Sequence, residues 1–220
     1  MTMTPGVRKL WLTAHMATSV GLLGSVAAFL ALALAGLGSE ATQIIRAAYL
    51  AMNVIARFVI VPLAFAALAT GLVQSLGTPW GLLRHYWVVA KLCLTLFATT
   101  ILLIKLRLIG YAAQVAADAT FSRADLHAAG QELALHAAGG LLVLLIPVML
   151  SVYKPRGLTP YGRRKQRESS AGVQERGPRT SPGGGLITIT LRPAQVVGFV
   201  VAALVAHVLV LHLVGSGHFG

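Results

Sequence analysis

Histidine, arginine and lysine side chains set inside long apolar runs are the residues of this chain that could do chemistry. His15 lies within LTAHMATSVGLLGS, Arg57 within NVIARFVIVPL and Lys91 within VVAKLCLTL. A charge at mid-bilayer costs on the order of 2.5–3.5 kcal/mol even on lenient insertion scales, so each such group needs a cavity, a partner or a cofactor. A neutral imidazole nitrogen can ligate haem iron or a copper ion, and a nearby lysine can pair with a haem propionate or hold an anionic substrate. His15 stands about 6 residues, roughly 9 Å, beyond Lys9, and Lys91 about 7 residues, roughly 10 Å, beyond Arg84. If both helices start on one side of the membrane, the two groups reach the same depth. The plainer alternative is that His15 bonds a neighbouring carbonyl and Lys91 snorkels to the headgroups.

His136 and His207 form a second candidate pair at comparable depth. Gly139 and Gly140 follow His136 by one turn, leaving room for a planar macrocycle held by two histidines, or equally for a neighbouring helix. His207 and His212 are five apart and share no face. Arg57 reads as a structural intramembrane charge, bonding helix-end carbonyls or a polar group on the third helix. His85, His127 and His218 read as solvated.

Composition demands that lipid be the solvent around these groups. The chain of 220 residues is 56% hydrophobic and 11% charged, against about 25% charged in a soluble domain. Its net charge is +12, and half of its 18 basic residues are packed into one segment between apolar runs, which points to anionic lipid headgroups as partner and not to nucleic acid. The single cysteine, Cys93, rules out an intrachain disulfide and a cysteine-rich metal site. The expected fold is all-α, a multi-pass transmembrane bundle of four helices with a fifth at the carboxyl terminus.

The first helix is expected over Leu10–Leu37, with Ala14, Thr18, Gly21, Ser25 and Ala28 as a small-residue packing stripe. A signal peptide ending near Ala33-Leu34-Ala35 is the competing reading. The second runs over Gln43–Ser75, bent at Pro62, and is followed by a turn at Gly77–Gly81. Trp80, Tyr86 and Trp87 with Arg84 and His85 form an interface belt. The third helix ends near Leu108, residues 111–131 form a loop with room for a surface helix, and the fourth spans Glu132–Tyr153 with a kink at Pro147. None of the six acidic residues then falls within a span, so no carboxylate proton relay is visible. Residues 1–153 thus make a membrane domain and 154–192 a flexible polybasic cytoplasmic linker. Residues 193–220 carry the fifth helix, Pro193–Val214, and a tail; a short strand over Leu186–Leu191 would precede it.

Twelve basic residues (Arg8, Lys9, Arg84 and nine from Lys154 to Arg192) fall on one side of this arrangement against Arg46, Lys105, Arg107 and Arg123 on the other. The richer side is cytoplasmic by the positive-inside rule, which puts the amino terminus inside and the carboxyl terminus outside.

The segment RFVIVPLAFAALATGLVQSLGTPWG…YWVVAKLCLTLFATTILLI, with the later SVYKPRGLTPYGRRKQ, resembles the CopD-type membrane domain. In that domain a helix ending T-G-L leads through an L-G-T-P-aromatic-G turn into a helix opening with a K-L pair. Over residues 5–166 the chain resembles an uncharacterised bacterial integral-membrane family grouped with CopD, and more distantly the HemJ-type protoporphyrinogen oxidases. The resemblance implies a four-helix fold in a bacterial plasma membrane, with His15 and Lys91 at the positions where HemJ-type proteins carry a helix-one histidine and a helix-three lysine. It departs after the histidine, where SVGLLG stands in place of W-F-G-G-L.

Three function classes follow. The first is a protein binding haem b in a redox or electron-transfer role, through His15 and Lys91 with His136 and His207 in reserve. The second is CopD-like handling of copper or another small solute, with Met3, Met16, Met52 and Met149 too scattered for a thioether pathway. The third is a non-catalytic membrane partner whose polybasic linker, residues 154–192, docks anionic lipid or another protein, with a homo-oligomer or a second membrane protein as partner.

Overall fold

The computed structural model describes residues 3–77, 84–118, 120–153 and 158–174. Among them the chain is helical, with α1 (Pro5–Gly38), α2 (Thr42–Leu76), α3 (Tyr86–Ala117) and α4 (Arg123–Tyr153), of 34, 35, 32 and 31 residues, each long and apolar enough to cross a membrane. This is the architecture of a multi-pass membrane protein. A shorter helix, α5 (Pro160–Gln174), follows. The expected turn at 78–81, strand at 186–191 and fifth apolar helix at 193–214 lie outside the described residues, as do His207, His212 and His218.

The four long helices run up and down in a ring in which α1 and α3 each pack on both α2 and α4. Their contact surfaces are built from small residues: Ala33, Ala56, Ala112 and Ala116 are fully buried, which lets backbones approach closely where lipid supplies no hydrophobic drive. Tyr49, Met52, Leu94, Leu126 and Leu133 fill the remaining space. Phe58, Leu10 and Val152 face outward at 74%, 68% and 72% exposure, the reverse of a soluble bundle and appropriate to lipid. On α1 the expected small stripe holds through Gly21, whose missing Cβ would meet Leu63 at 3.4 Å. Ala28 instead faces out, because the core face of the upper helix passes to Phe29, Ala33 and Gly36.

Residues 111–131 are not a loop. Ala112, Ala113 and Ala116 continue α3, and Leu126, Ala129 and Gly130 belong to α4. Alanine is the best helix former and these alanines are buried, so propensity and packing agree. The connection shrinks to a few residues around Asp118. Arg46 ties it down, its Nε donating to the Ala116 carbonyl at 3.0 Å and its Nη2 to the Asp118 carbonyl at 2.8 Å. Arg123 does the same for α1, donating to the Leu37 carbonyl at 3.0 Å. These cations satisfy the orphan carbonyls at helix carboxyl ends. Moving the boundary places Glu132 inside α4, so an acidic residue does lie within a long apolar helix.

In α2 a π-turn over Ala56–Ile60 comes immediately before Pro62. The proline therefore sits at the opening of a fresh α-helical stretch, where its missing N–H costs nothing. Pro147 lies inside α4.

The four helices differ in how far they run without a charge. From Leu10 to Leu37, α1 carries His15 alone, roughly 42 Å at 1.5 Å per residue. The stretches Phe58–Leu76, Trp87–Ile104 and Leu133–Val152 are each roughly 27–30 Å long, interrupted by Lys91 and His136.

Candidate functional site

His15 sits half-buried on α1, facing α2. Its Nδ1 lies 3.1 Å from the Thr70 Oγ1, and the Thr70 hydroxyl donates its own proton to the Ala66 carbonyl at 2.6 Å. The Nδ1-protonated tautomer fits this arrangement: Thr70 then accepts from Nδ1–H while donating to Ala66, and the neutral ring carries its lone pair on Nε2. The Ala67 carbonyl is a further acceptor beside the ring. Gly71 makes the approach possible, since a Cβ there would stand 3.0 Å from the His15 Cε1. Thr18 closes the group at 3.4 Å from Thr70.

Lys91, near the start of α3, lies close enough to act on His15 through the field of its charge. Its ammonium donates to the Ser151 Oγ on α4 at 3.1 Å and stands 4.7 Å from the Trp87 ring centroid. Ser151 in turn donates to the Pro147 carbonyl at 2.8 Å, which leaves its oxygen free to accept. His15 and Lys91 thus lie within reach of each other's field, but each has its own partner, Thr70 for the one and Ser151 for the other. All four helices contribute. The T-G pair at residues 70–71 was the available signal for Thr70; Ser151 had none before its partner was known.

His136 belongs to a separate place. From Ser151 it is 15 residues along α4, roughly 22 Å, so His15 and His136 cannot share one iron. Its Nδ1 donates to the Glu132 carbonyl at 2.7 Å, again leaving the Nε2 lone pair. It lines a central cavity of about 90 Å³ bounded by all four helices, with Phe29, Thr99, Lys105 and Gly140 in the wall. A Cβ on Gly140 would meet nothing within 4 Å. Beside the cavity Lys105 pairs with Glu132, both side chains about a quarter exposed or less at 20% and 27%.

Arg57 does not cap a helix end; Arg46 does. The Arg57 Nε donates to the Asn53 Oδ1 at 2.8 Å on its own helix, and its side chain is exposed. Cys93 is a free, exposed thiol.

At the opposite end from the Asp118 turn, α5 is docked where a structureless linker was expected. Thr159 is its cap: the Gly162 N–H donates to the Thr159 Oγ1 at 3.0 Å, and the Thr159 N–H donates to the Arg84 carbonyl at 3.0 Å. Thr-Pro followed by a helix is a start signal that the polar composition concealed.

No family model, curated protein or solved structure matches the chain. Among the described residues no group of three or more histidine, cysteine or acidic side chains is placed to hold a metal ion.

Proposed function

We propose that this chain is an integral membrane protein that binds haem b at the inner end of its bundle in a redox or electron-transfer role, with His15 as the iron ligand and Lys91 beside it. The supporting observation is the His15–Thr70 bond, which holds the ring and, in the Nδ1–H tautomer, leaves Nε2 as the lone-pair nitrogen. A ligating histidine characteristically donates its other N–H in this way. Bound haem would supply one-electron chemistry. The chain's part is to orient the imidazole through Thr70 and Gly71 and to place a cation from Lys91 near the anionic edge of the ligand. The charge count supports a cytoplasmic amino terminus, and with it the cytoplasmic half of the membrane for this site. The resemblance to CopD- and HemJ-type proteins supports the same pair of residues.

His136 fits haem less well. Its cavity of about 90 Å³ is far below the roughly 300–1,000 Å³ of sites that enclose drug-sized ligands and cofactors. It suits a small, largely apolar solute, and this observation favours solute handling as the second reading. Copper finds less support, since Met52 is buried in the core while Met16 and Met149 point outward.

The test is an absorption spectrum of the protein purified in mild detergent after expression with haem supplied, oxidised and then reduced, beside His15→Ala and His136→Ala. A Soret band with a sharp reduced α-band that vanishes in His15→Ala is the expected result. A featureless spectrum, or one lost only in His136→Ala, overturns the assignment.

A further inference from the structure

An unassigned cationic feature lies between α2 and α3, where Arg57 and Arg107 each stand 11 residues, roughly 16 Å, from the Asp118 end of the bundle. The π-turn Ala56–Ile60 contains Arg57; one extra residue in a turn rotates what precedes it by about 100° relative to an unbroken α-helix. The Arg57 side chain lies towards α3, held by Asn53 at 2.8 Å, and its Nη2 passes over Gly110, where a Cβ would stand 3.0 Å away. Arg107 is three residues before Gly110 and therefore on the same face of α3, exposed. The Arg57 guanidinium thus stands over a glycine on the face of α3 that also carries Arg107.

Neither has a carboxylate partner among the described residues. The acids at this end are otherwise engaged: Glu132 with Lys105, Glu40 with Arg123, Asp118 with Thr120 and Asp125 with the Ser122 N–H. Each arginine also borders an apolar stretch. Arg57 immediately precedes the apolar stretch Phe58–Leu76 and Arg107 follows Trp87–Ile104, each roughly 27–29 Å long and close to the hydrocarbon thickness of a bilayer. The surroundings are apolar and outward-facing, with Phe58 74%, Ile104 60% and Tyr111 54% exposed. Ile104 and Tyr111 lie one turn to either side of Arg107 on its own face.

We infer that this groove between α2 and α3 binds the headgroup of an anionic phospholipid. The phosphodiester sits between Arg57 and Arg107, whose planar forks match phosphate oxygens two at a time. The acyl chains run down over Phe58 and Ile104, and Tyr111 stands at headgroup level. Basic pockets between transmembrane helices suit such lipids. A Cβ on Gly110 would nudge only the flexible end of Arg57, whereas a bulky side chain there would fill the space between the two helices.

The test is native mass spectrometry of the full chain in a non-ionic detergent with phosphatidylglycerol or phosphatidylcholine added, in about 0.5 M ammonium acetate to screen the exposed cations of α5. We expect one retained phosphatidylglycerol per protein and little phosphatidylcholine. Retention should fall about tenfold in the double variant R57Q/R107Q. It should fall several-fold in Gly110→Leu, which keeps both charges and blocks the groove, so a folding failure of one variant leaves the other to decide. Melting curves establish that each is folded. Undiminished retention in a folded variant, or equal retention of the two lipids, overturns the inference and leaves the arginines facing a protein partner.

Discussion

The His15 Nδ1 on α1 and the Thr70 Oγ1 on α2 are 3.1 Å apart, and the Thr70 hydroxyl also lies 2.6 Å from the Ala66 carbonyl, an arrangement that the Nδ1–H tautomer satisfies in full. Removing the acceptor while keeping the shape, in Thr70→Val, should cost about 1–2 kcal/mol through a half-buried N–H left without its bond. Thr70→Ser should recover most of it. Thermal unfolding in detergent of the two variants checks this; equal loss in both would mean the hydroxyl is not what matters.

Tyr49 and Gly130 make the tightest small-residue contact between α2 and α4, with the Tyr49 hydroxyl over the glycine and 3.4 Å from the Leu126 carbonyl. Gly130→Ala should destabilise the bundle by about 1–3 kcal/mol, as overpacking does. Tyr49→Phe in that background should return part of the loss, giving a coupling that a double-mutant cycle of unfolding free energies will show.

The Lys105–Glu132 pair borders the central cavity. Glu132→Gln should cost about 2 kcal/mol, below the 3–5 kcal/mol of a fully buried pair because both side chains keep some exposure. The double variant Lys105→Met/Glu132→Leu should be less damaging than either single change. Urea or thermal denaturation of the three proteins provides the comparison.

Asp118 lies beyond the spans. The Thr120 backbone N–H, its hydroxyl and then the Arg46 charge hold the Asp118 carboxyl below the ordinary carboxylate range, although the group is fully exposed. A depressed folded-state pKa means that its stabilising contribution is full above the unfolded value of about 3.9 and is lost as pH falls through the folded value. The α3–α4 turn should therefore stay ordered at neutral pH and loosen in acid. Amide exchange at Thr120, followed from pH 6 downward, should rise only in that acidic window, and Asp118→Asn should remove the inflection.

Thr159→Ala should cost α5 about 1 kcal/mol, the usual worth of a helix cap. Faster amide exchange confined to α5, with α1–α4 unchanged, is the expected signature.

The class of fold was legible because apolar runs near 20 residues in length admit few alternatives, and counting from each charged collar was enough to place His15 and Lys91 within range of each other's field. The ends of α3 and α4 were not. YAAQVAA and RADLHAAGQE are too polar or too small to register as membrane segments, and only their burial against Tyr49 reveals them as helix. Arg57 illustrates the complementary difficulty. Its position in an apolar run says that it needs a partner, but the π-turn that aims it over Gly110 leaves no mark in composition. Thr70 and Ser151 are ordinary helix residues until a histidine and a lysine from other helices arrive beside them.

Because α1 carries apolar surface over roughly 42 Å while its neighbours carry it over roughly 27–30 Å, no single flat slab of hydrocarbon matches the whole perimeter. The bilayer must swell along the α1 flank or the bundle axis must lean until α1 crosses obliquely, and either response stores deformation on one side only. A mismatch confined to one flank makes the cost of insertion depend on the local thickness of the bilayer that α1 meets.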